Sequence, residues 1–133
     1  MALLFEKESW AIKGCAFEVM KRLGSGFTEY VYQDALAIEF AHSGVPYEKE
    51  KHLNVSYRGE VLQHDFYMDF ICYDEIVVEL KAVKELEDAH RAQLLNYLRA
   101  ANKKLGFLMN FHGTACKIER ILNYELLKQE QQG

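Results

Sequence analysis

The sequence predicts an α/β fold in which helices flank a mixed β-sheet. Three observations predict it: two helical periodicities open the chain, three strand-like segments follow them, and a further helix precedes another strand-like segment. Consecutive strands favour a meander, whereas a strand, a helix and a strand favour a crossover within one sheet. The predicted order is therefore ααβββαβ, followed by a last segment with the pattern of a strand or a helix.

Two amphipathic helices are predicted at the start of the chain. The first spans residues 8–23 and ends at the stretch "LGSG". Thr28 is the predicted N-cap of the second, which spans residues 29–43. The apolar residues at helical spacing are Ile12, Ala16, Val19, Met20 and Leu23 in the first helix, and Val31, Ala35, Ile38 and Ala41 in the second.

Three β-strands are predicted next, at residues 47–57, 60–73 and 75–83. Turn signals separate them, "YRGE" after the first and "YDE" after the second. Because so few residues separate the last two strands, we expect them to form a hairpin about "YD".

The last part of the chain contains a helix and one or two strands. Residues 86–102 have the pattern of a helix, and "KLGFLMNF" at 104–111 that of a buried strand. The stretch "ACKIERIL" at 115–122 is either a further strand or the start of a last helix.

Composition predicts a single globular domain over residues 1–133, because half of the residues are hydrophobic and 27 % are charged. The net charge of −4 counts against a large non-specific nucleic-acid surface, so any contact with nucleic acid should be local.

Cysteine usage and the start of the chain predict a cytoplasmic protein. Cys15, Cys72 and Cys116 lie far apart in apolar contexts, as expected for reduced core thiols. The opening "MALLFEKESW" is too short in apolar residues for a signal peptide or a membrane span.

The stretch "VVELKAV", residues 77–83, places two opposite charges in an apolar strand. Side chains alternate between strand faces, so Glu79 and Lys81 share a face. Asp69 interrupts the preceding strand and should lie close to Glu79 across the hairpin. Two carboxylates beside a lysine can hold a hard divalent cation such as Mg²⁺, and the lysine can then orient water or stabilise developing charge. An ordinary salt bridge is the alternative explanation.

Two predicted helices carry further polar residues at helical spacing. Glu29 and Tyr32 share one helix face, and His90, Gln93 and Tyr97 form a polar stripe on another helix. Each has a structural explanation as well. Glu29 in a first helical turn stabilises the helix dipole, and the stripe is compatible with a solvated face.

Taken in order, these motifs resemble those of the GxxExxY family, a compact branch of the PD-(D/E)XK nuclease superfamily with the restriction-endonuclease-like fold. The resemblance covers about residues 8–122. The matching residues are Gly26, Glu29 and Tyr32 for the name motif, Asp69 for the catalytic aspartate, Glu79, Leu80 and Lys81 for E-x-K, and Gln93 and Tyr97, preceded by His90, for Q-x-x-x-Y.

The resemblance implies hydrolysis of phosphodiester bonds in nucleic acid with Mg²⁺ or Mn²⁺ as cofactor. It implies that Asp69, Glu79 and the Leu80 carbonyl ligate the metal, and that Lys81 assists the nucleophile. Glu29 should complete the acidic cluster from its helix. The residues expected to line the pocket and bind substrate are Gln93, Tyr97, His90 and Tyr32.

Two departures and two alternative functions remain. Met68 stands where the superfamily often has proline, and Asp65 is a rival ligand to Asp69, which lies nearer the hairpin turn. Because fold does not settle function, a catalytically silent binding or assembly module in a larger complex is the alternative, favoured by the net acidity. A purely structural homo-oligomerisation domain, for example a homodimer, is a third interpretation, suggested by surfaces rich in phenylalanine and tyrosine.

Overall fold

A computed structural model describes residues 4–132, in which helices and strands follow each other in nearly the predicted order. The elements are α1 (Glu6–Leu23), α2 (Glu29–Ser43), β1 (Tyr47–Leu53), β2 (Ser56–Tyr57), β3 (Glu60–Val61), β4 (Phe66–Cys72), β5 (Ile76–Lys81), α3 (Asp88–Ala101), β6 (Leu105–Asn110), β7 (Lys117–Leu122) and α4 (Tyr124–Gln132).

The predicted mixed sheet is confirmed. Five strands pair in the order β1-β4-β5-β6-β7, and β5 and β6 are parallel while the other neighbours are antiparallel. Helix α3 connects β5 to β6, as a parallel pair requires. The last segment is strand β7, followed by α4, so "KIERIL" belongs to the sheet edge.

The sheet carries apolar layers on both faces. On one face, α1 and α2 pack over β4, β5 and β6, with fully buried Leu36, Phe40, Phe70 and Phe107 among the contacts. On the other face, α3 places Leu94 and Leu98 against Val77 and Leu108. Gly106 of β6 permits this close approach, because a Cβ there would lie 3.0 Å from the Leu94 Cδ1. The result is the expected arrangement of a sheet flanked by helices.

The long strands predicted at residues 47–57 and 60–73 are each broken in two. Strand β1 ends at Leu53, and β4 begins only at Phe66. Between them, β2 and β3 form a separate two-stranded ribbon. Arg58 and Gly59 have φ values of 51° and 85°, and consecutive positive φ angles reverse the chain in a tight hairpin. Because both ribbon strands are exposed, no apolar face ties them to the sheet.

Helix α2 has the predicted bounds, although its start is stabilised differently from expectation. Thr28 occupies the N-cap position in an extended conformation, but its side chain makes no capping hydrogen bond. The three cysteines are buried, as predicted. Within residues 4–132, no helix combines the length and the apolar character needed to cross a membrane.

Candidate active site

The candidate site begins where the pairing of β4 with β5 ends. Their hairpin turns at Tyr73 and Asp74, both with positive φ, and the register runs from Cys72 opposite Ile76 to Phe70 opposite Val78. One step further, this register places Asp69 opposite Glu79. At this point the carboxylates, rather than backbone carbonyl groups, accept the hydrogen bonds between the two strands.

Two hydrogen bonds fix the two carboxylates. The Asp69 N–H donates to the Glu79 Oε1 over 2.9 Å, and the Leu80 N–H donates to the Asp69 Oδ2 over 2.8 Å. Each carboxylate therefore accepts a bond from the neighbouring strand. These two hydrogen bonds hold the two acidic groups side by side across the strands.

The residues after Glu79 follow the predicted alternation of strand faces. Leu80 is buried in the layer formed with α1 and α2, while Lys81 is half-buried at the end of β5. The Lys81 carbonyl accepts a 2.8 Å bond from the Phe111 N–H. Asn110 then fixes the following chain, because its amide accepts from the Val83 N–H and donates to the Val83 carbonyl.

Burial and mutual repulsion raise the proton affinity of the pair. Glu79 is only 6 % exposed. Burial raises the pKa of its carboxyl to about 9, the negative charge of Asp69 contributes to this rise, and Lys81 opposes it. Burial also raises the pKa of Asp69, although the hydrogen bond from Leu80 lowers it. Without a cation, protonation of Glu79 relieves the repulsion between the two carboxylates.

This donor set fits a hard divalent cation. Carboxylate and carbonyl oxygens are the ligands that Mg²⁺ prefers, and Mg²⁺ is commonly held by one or two carboxylates with several waters. Asp69 and Glu79 provide two carboxylates, and Leu80 provides a backbone carbonyl between Glu79 and Lys81. A cation would also neutralise the repulsion that raises the two pKa values.

Glu29 does not join this pair. It lies half-buried in the first turn of α2. Over residues 4–132, no three acidic, histidine or cysteine side chains lie close enough together to hold one metal ion. The structure therefore gives no support to the predicted completion of the cluster by Glu29. Asp65 does not complete the cluster either: it is exposed, and its Oδ1 lies 2.9 Å from the His52 Nε2.

Tyr32 has a structural position rather than one that can contact substrate. The side chain is fully buried, and its ring stacks on Phe111 at 4.8 Å between centroids. Its hydroxyl donates to the Gly24 carbonyl at 2.6 Å and accepts from the Phe27 N–H at 3.3 Å. Tyr32 thereby stabilises the loop between α1 and α2.

The predicted stripe on α3 divides into two parts. His90 belongs to a capping box at the start of the helix, where its Nδ1 accepts from the Glu87 N–H at 2.9 Å. Gln93 and Tyr97 instead line a groove beside the sheet. Burial raises the pKa of Tyr97, and the charges of Glu79 and Asp69 add to the rise.

Gln33 is a site residue that the sequence analysis missed. It is 4 % exposed, and its Nε2 donates to the Asp69 Oδ1 at 3.3 Å. Together with Leu80, it therefore orients the Asp69 carboxylate. Its spacing could have indicated this position, because Gln33 lies four residues after Glu29 and therefore shares a face of α2 with it.

Glu50 is a second missed residue, and its backbone is unusual. It lies in β1 with φ of 52°, a conformation that disfavours residues with a Cβ. The register of β1 with β4 would place it opposite Asp69, yet this pair is absent while both neighbouring pairs form. Its charge raises the pKa of Asp69. At Asp69, strand β4 therefore lacks a regular backbone pair with both of its neighbours, β1 and β5.

Replacing Glu50 by glycine is expected to raise the free energy of unfolding by about 0.5–1 kcal/mol. Relief of the left-handed strain outweighs the greater entropy of glycine in the unfolded chain. Urea denaturation at neutral pH measures the change. Glu48→Gly is the matched control, because Glu48 is exposed in the same strand and has no positive φ. It should lower stability, and a similar loss in both variants would contradict the interpretation of Glu50.

Comparison with known proteins agrees with this architecture. A family model described as the PD-(D/E)XK nuclease superfamily matches residues 6–121. The chain is similar in structure to an alkaline exonuclease from Laribacter hongkongensis, with a TM-score of 0.55 and 11 % identity over 99 % of this chain and 77 % of that one. It is also similar to SSO0001, with a TM-score of 0.48 and 14 % identity over 92 % and 82 % of the two chains. No curated protein matches.

Proposed function

This chain belongs to the PD-(D/E)XK nuclease superfamily, whose members are generally dependent on divalent metals, and on that premise we propose that it hydrolyses phosphodiester bonds of nucleic acid. The observation that carries the proposal is the pair of half-buried Asp69 and buried Glu79, with Lys81 two residues after Glu79 in β5. The pair provides adjacent carboxylate oxygens at the point where the backbone pairing of β4 with β5 ends.

The residues of the proposed site have different tasks. Asp69, Glu79 and the Leu80 carbonyl would hold a divalent cation, which when bound supplies positive charge next to the phosphate. Lys81 orients the attacking water, or stabilises the negative charge that develops on the phosphate oxygens. Gln33 supports this arrangement because its hydrogen bond restricts the Asp69 carboxylate.

We propose Mg²⁺ or Mn²⁺ as the cation. All the candidate ligands are oxygen atoms, and oxygen ligands favour Mg²⁺, Ca²⁺ and Mn²⁺ over softer metals. A site with only two carboxylates leaves positions for water, as Mg²⁺ and Mn²⁺ sites in phosphoryl-transfer enzymes do.

We also propose that the chain belongs to the GxxExxY branch of the superfamily. Gly26, Glu29 and Tyr32 carry the motif. Two of these residues have structural positions that suit it: Gly26 has φ of 108°, which disfavours any residue with a side chain, and Tyr32 binds the loop that contains it.

Metal-linked stability tests the site separately from catalysis. In thermal or urea unfolding, Mn²⁺ at a hundredfold excess over its dissociation constant should stabilise the wild type by about 2.7 kcal/mol relative to EDTA. Asp69→Asn should lose most of this gain. In EDTA at neutral pH, its stability should equal or exceed that of the wild type, because asparagine removes a charge that burial disfavours.

The substitution is suited to this test because asparagine keeps an acceptor for the Leu80 N–H, and Gln33 can reverse its own amide to match the new group. Asp65→Asn is the control, since Asp65 is an exposed aspartate outside the pair. A structural ion pair predicts the opposite pattern, in which Asp69→Asn loses stability in both buffers and Mn²⁺ has no specific effect. Cleavage of labelled oligonucleotides in Mn²⁺, with EDTA as the blank, tests the activity itself.

A further inference from the structure

A groove of about 870 Å³ lies alongside α3. One wall is the helix surface that bears Gln93, Asn96 and Tyr97. The opposite wall is formed by the chain that leaves β1 and by the start of β4, with Asn54, Ser56 and Phe66. Its volume is in the upper part of the range of roughly 300–1,000 Å³ that ligand pockets show.

The charge of the groove suits an anionic ligand. Arg99 is the one charged residue among those that line it, although the whole chain has a net charge of −4. Arg99 contacts Glu125 at 3.7 Å, but both side chains are largely exposed. An exposed ion pair of this kind is weak, so a phosphate can replace the carboxylate.

The remaining lining suits bases rather than a phosphate backbone. Asn54, Gln93 and Asn96 carry amides that can both donate to and accept from base edges. Phe66 and Tyr97 carry rings on which bases can stack. Recognition of a duplex rests largely on many Lys and Arg contacts to phosphates, and this groove has a single arginine.

The groove lies beside the strands that carry the candidate active site. Tyr97 lines the groove and packs against the buried cluster that contains Val77, which lies two residues before Glu79 in β5. Phe66 begins the strand that carries Asp69. A strand of nucleic acid lying in the groove would therefore lie next to the two β-strands that carry the carboxylate pair.

We propose that this groove binds unpaired bases of a single nucleic-acid strand next to the bond that is cleaved. The proposal rests on the proposed function and specifies its substrate as single-stranded. Bases in a duplex are stacked and paired, so neither their faces nor their pairing edges are available to such a groove, whereas an unpaired strand offers both.

Ala92 offers a way to fill the groove without touching the carboxylates. It is exposed on α3 and lines the groove, so Ala92→Phe places a large side chain in the space that bases would occupy. Ala41 on α2 is exposed as well and lies outside the groove. Ala41→Phe is therefore the matched control for surface hydrophobicity.

Fluorescence anisotropy in EDTA measures binding where no cleavage is expected. The probes are a labelled single-stranded oligonucleotide and a hairpin duplex of the same composition, each as DNA and as RNA. We expect the wild type to prefer the single strand, and Ala92→Phe to weaken that binding by about tenfold or more, the loss expected when stacking of one base is prevented. Ala41→Phe should bind as the wild type does.

Equal affinity for strand and hairpin, or equal behaviour of the two phenylalanine variants, would overturn the groove proposal. If Ala92→Phe does not fold, Arg99→Gln is compared with Arg22→Gln in the same binding assay, and only Arg99→Gln should weaken binding of the single strand. The two variants are matched because both arginines are exposed and paired to a glutamate. Cleavage in Mn²⁺ that persists without groove-dependent binding would leave the nuclease proposal intact. Groove-dependent binding without cleavage would overturn the nuclease proposal alone.

Discussion

Replacing Lys81 by alanine is expected to lower the rate of metal-dependent cleavage by about 10²- to 10⁴-fold. The amine stands two residues after Glu79 at the end of β5. In the proposed mechanism, a positive charge there stabilises the anionic transition state more than the substrate. Single-turnover cleavage of a labelled oligonucleotide in Mn²⁺ measures the effect without interference from product release.

The fold should survive this substitution. The position of Lys81 in the sheet depends on its backbone, whose carbonyl accepts from the Phe111 N–H, and its side chain is only half-buried. Lys84→Ala is the matched control, because Lys84 is an exposed lysine in the following loop. If both variants cleave at rates near that of the wild type, Lys81 has no part in the chemistry.

Replacing Glu79 by glutamine is expected to remove a large pH dependence of stability. In the metal-free wild type, the carboxyl has a pKa of about 9, against 4.5 as its ordinary value. The folded state thus binds the proton more tightly than the unfolded state does. The stabilisation from this group is complete below pH 4.5 and is lost as pH rises from there through about 9. The loss is on the order of several kcal/mol.

Glutamine can still accept the hydrogen bond from the Asp69 N–H, so the variant keeps the local structure while losing the titration. Urea denaturation in EDTA at pH 5 and pH 8 should show a smaller decrease for Glu79→Gln than for the wild type. Glu85→Gln, at an exposed position, should follow the wild type. Parallel stability profiles for the wild type and Glu79→Gln would show that the carboxyl titrates normally.

The sequence predicted the features that depend on local periodicity. Helix α2 begins and ends as expected. Its predicted apolar stripe was wrong, because Val31 and Ile38 are exposed and the buried face carries Tyr32, Leu36 and Phe40. The hairpin of β4 and β5 is confirmed as well, since the turn at Tyr73 and Asp74 determines the register near it. Strand parity then sufficed to predict that Asp69 lies beside Glu79.

Features that depend on tertiary packing were harder to predict from the sequence. Helical spacing shows that Glu29 and Tyr32 share a face, but it does not show that this face turns the Tyr32 ring into the core. Gln33 contacts Asp69 across a separation of 36 residues. The left-handed backbone of Glu50 had no sequence signal, since glycine or asparagine usually marks such a conformation.

The hydrogen bonds that join β4 and β5 through Asp69 and Glu79 also limit how this protein can change during evolution. An apolar residue at position 69 would leave the Leu80 N–H buried without its acceptor, and an apolar residue at position 79 would do the same to the Asp69 N–H. Selection for folding alone would therefore retain an oxygen atom at both positions after catalysis had ceased to matter. A descendant that had lost its activity would carry asparagine and glutamine there. The loss of Lys81 would come first, because only its backbone, and not its side chain, takes part in strand pairing.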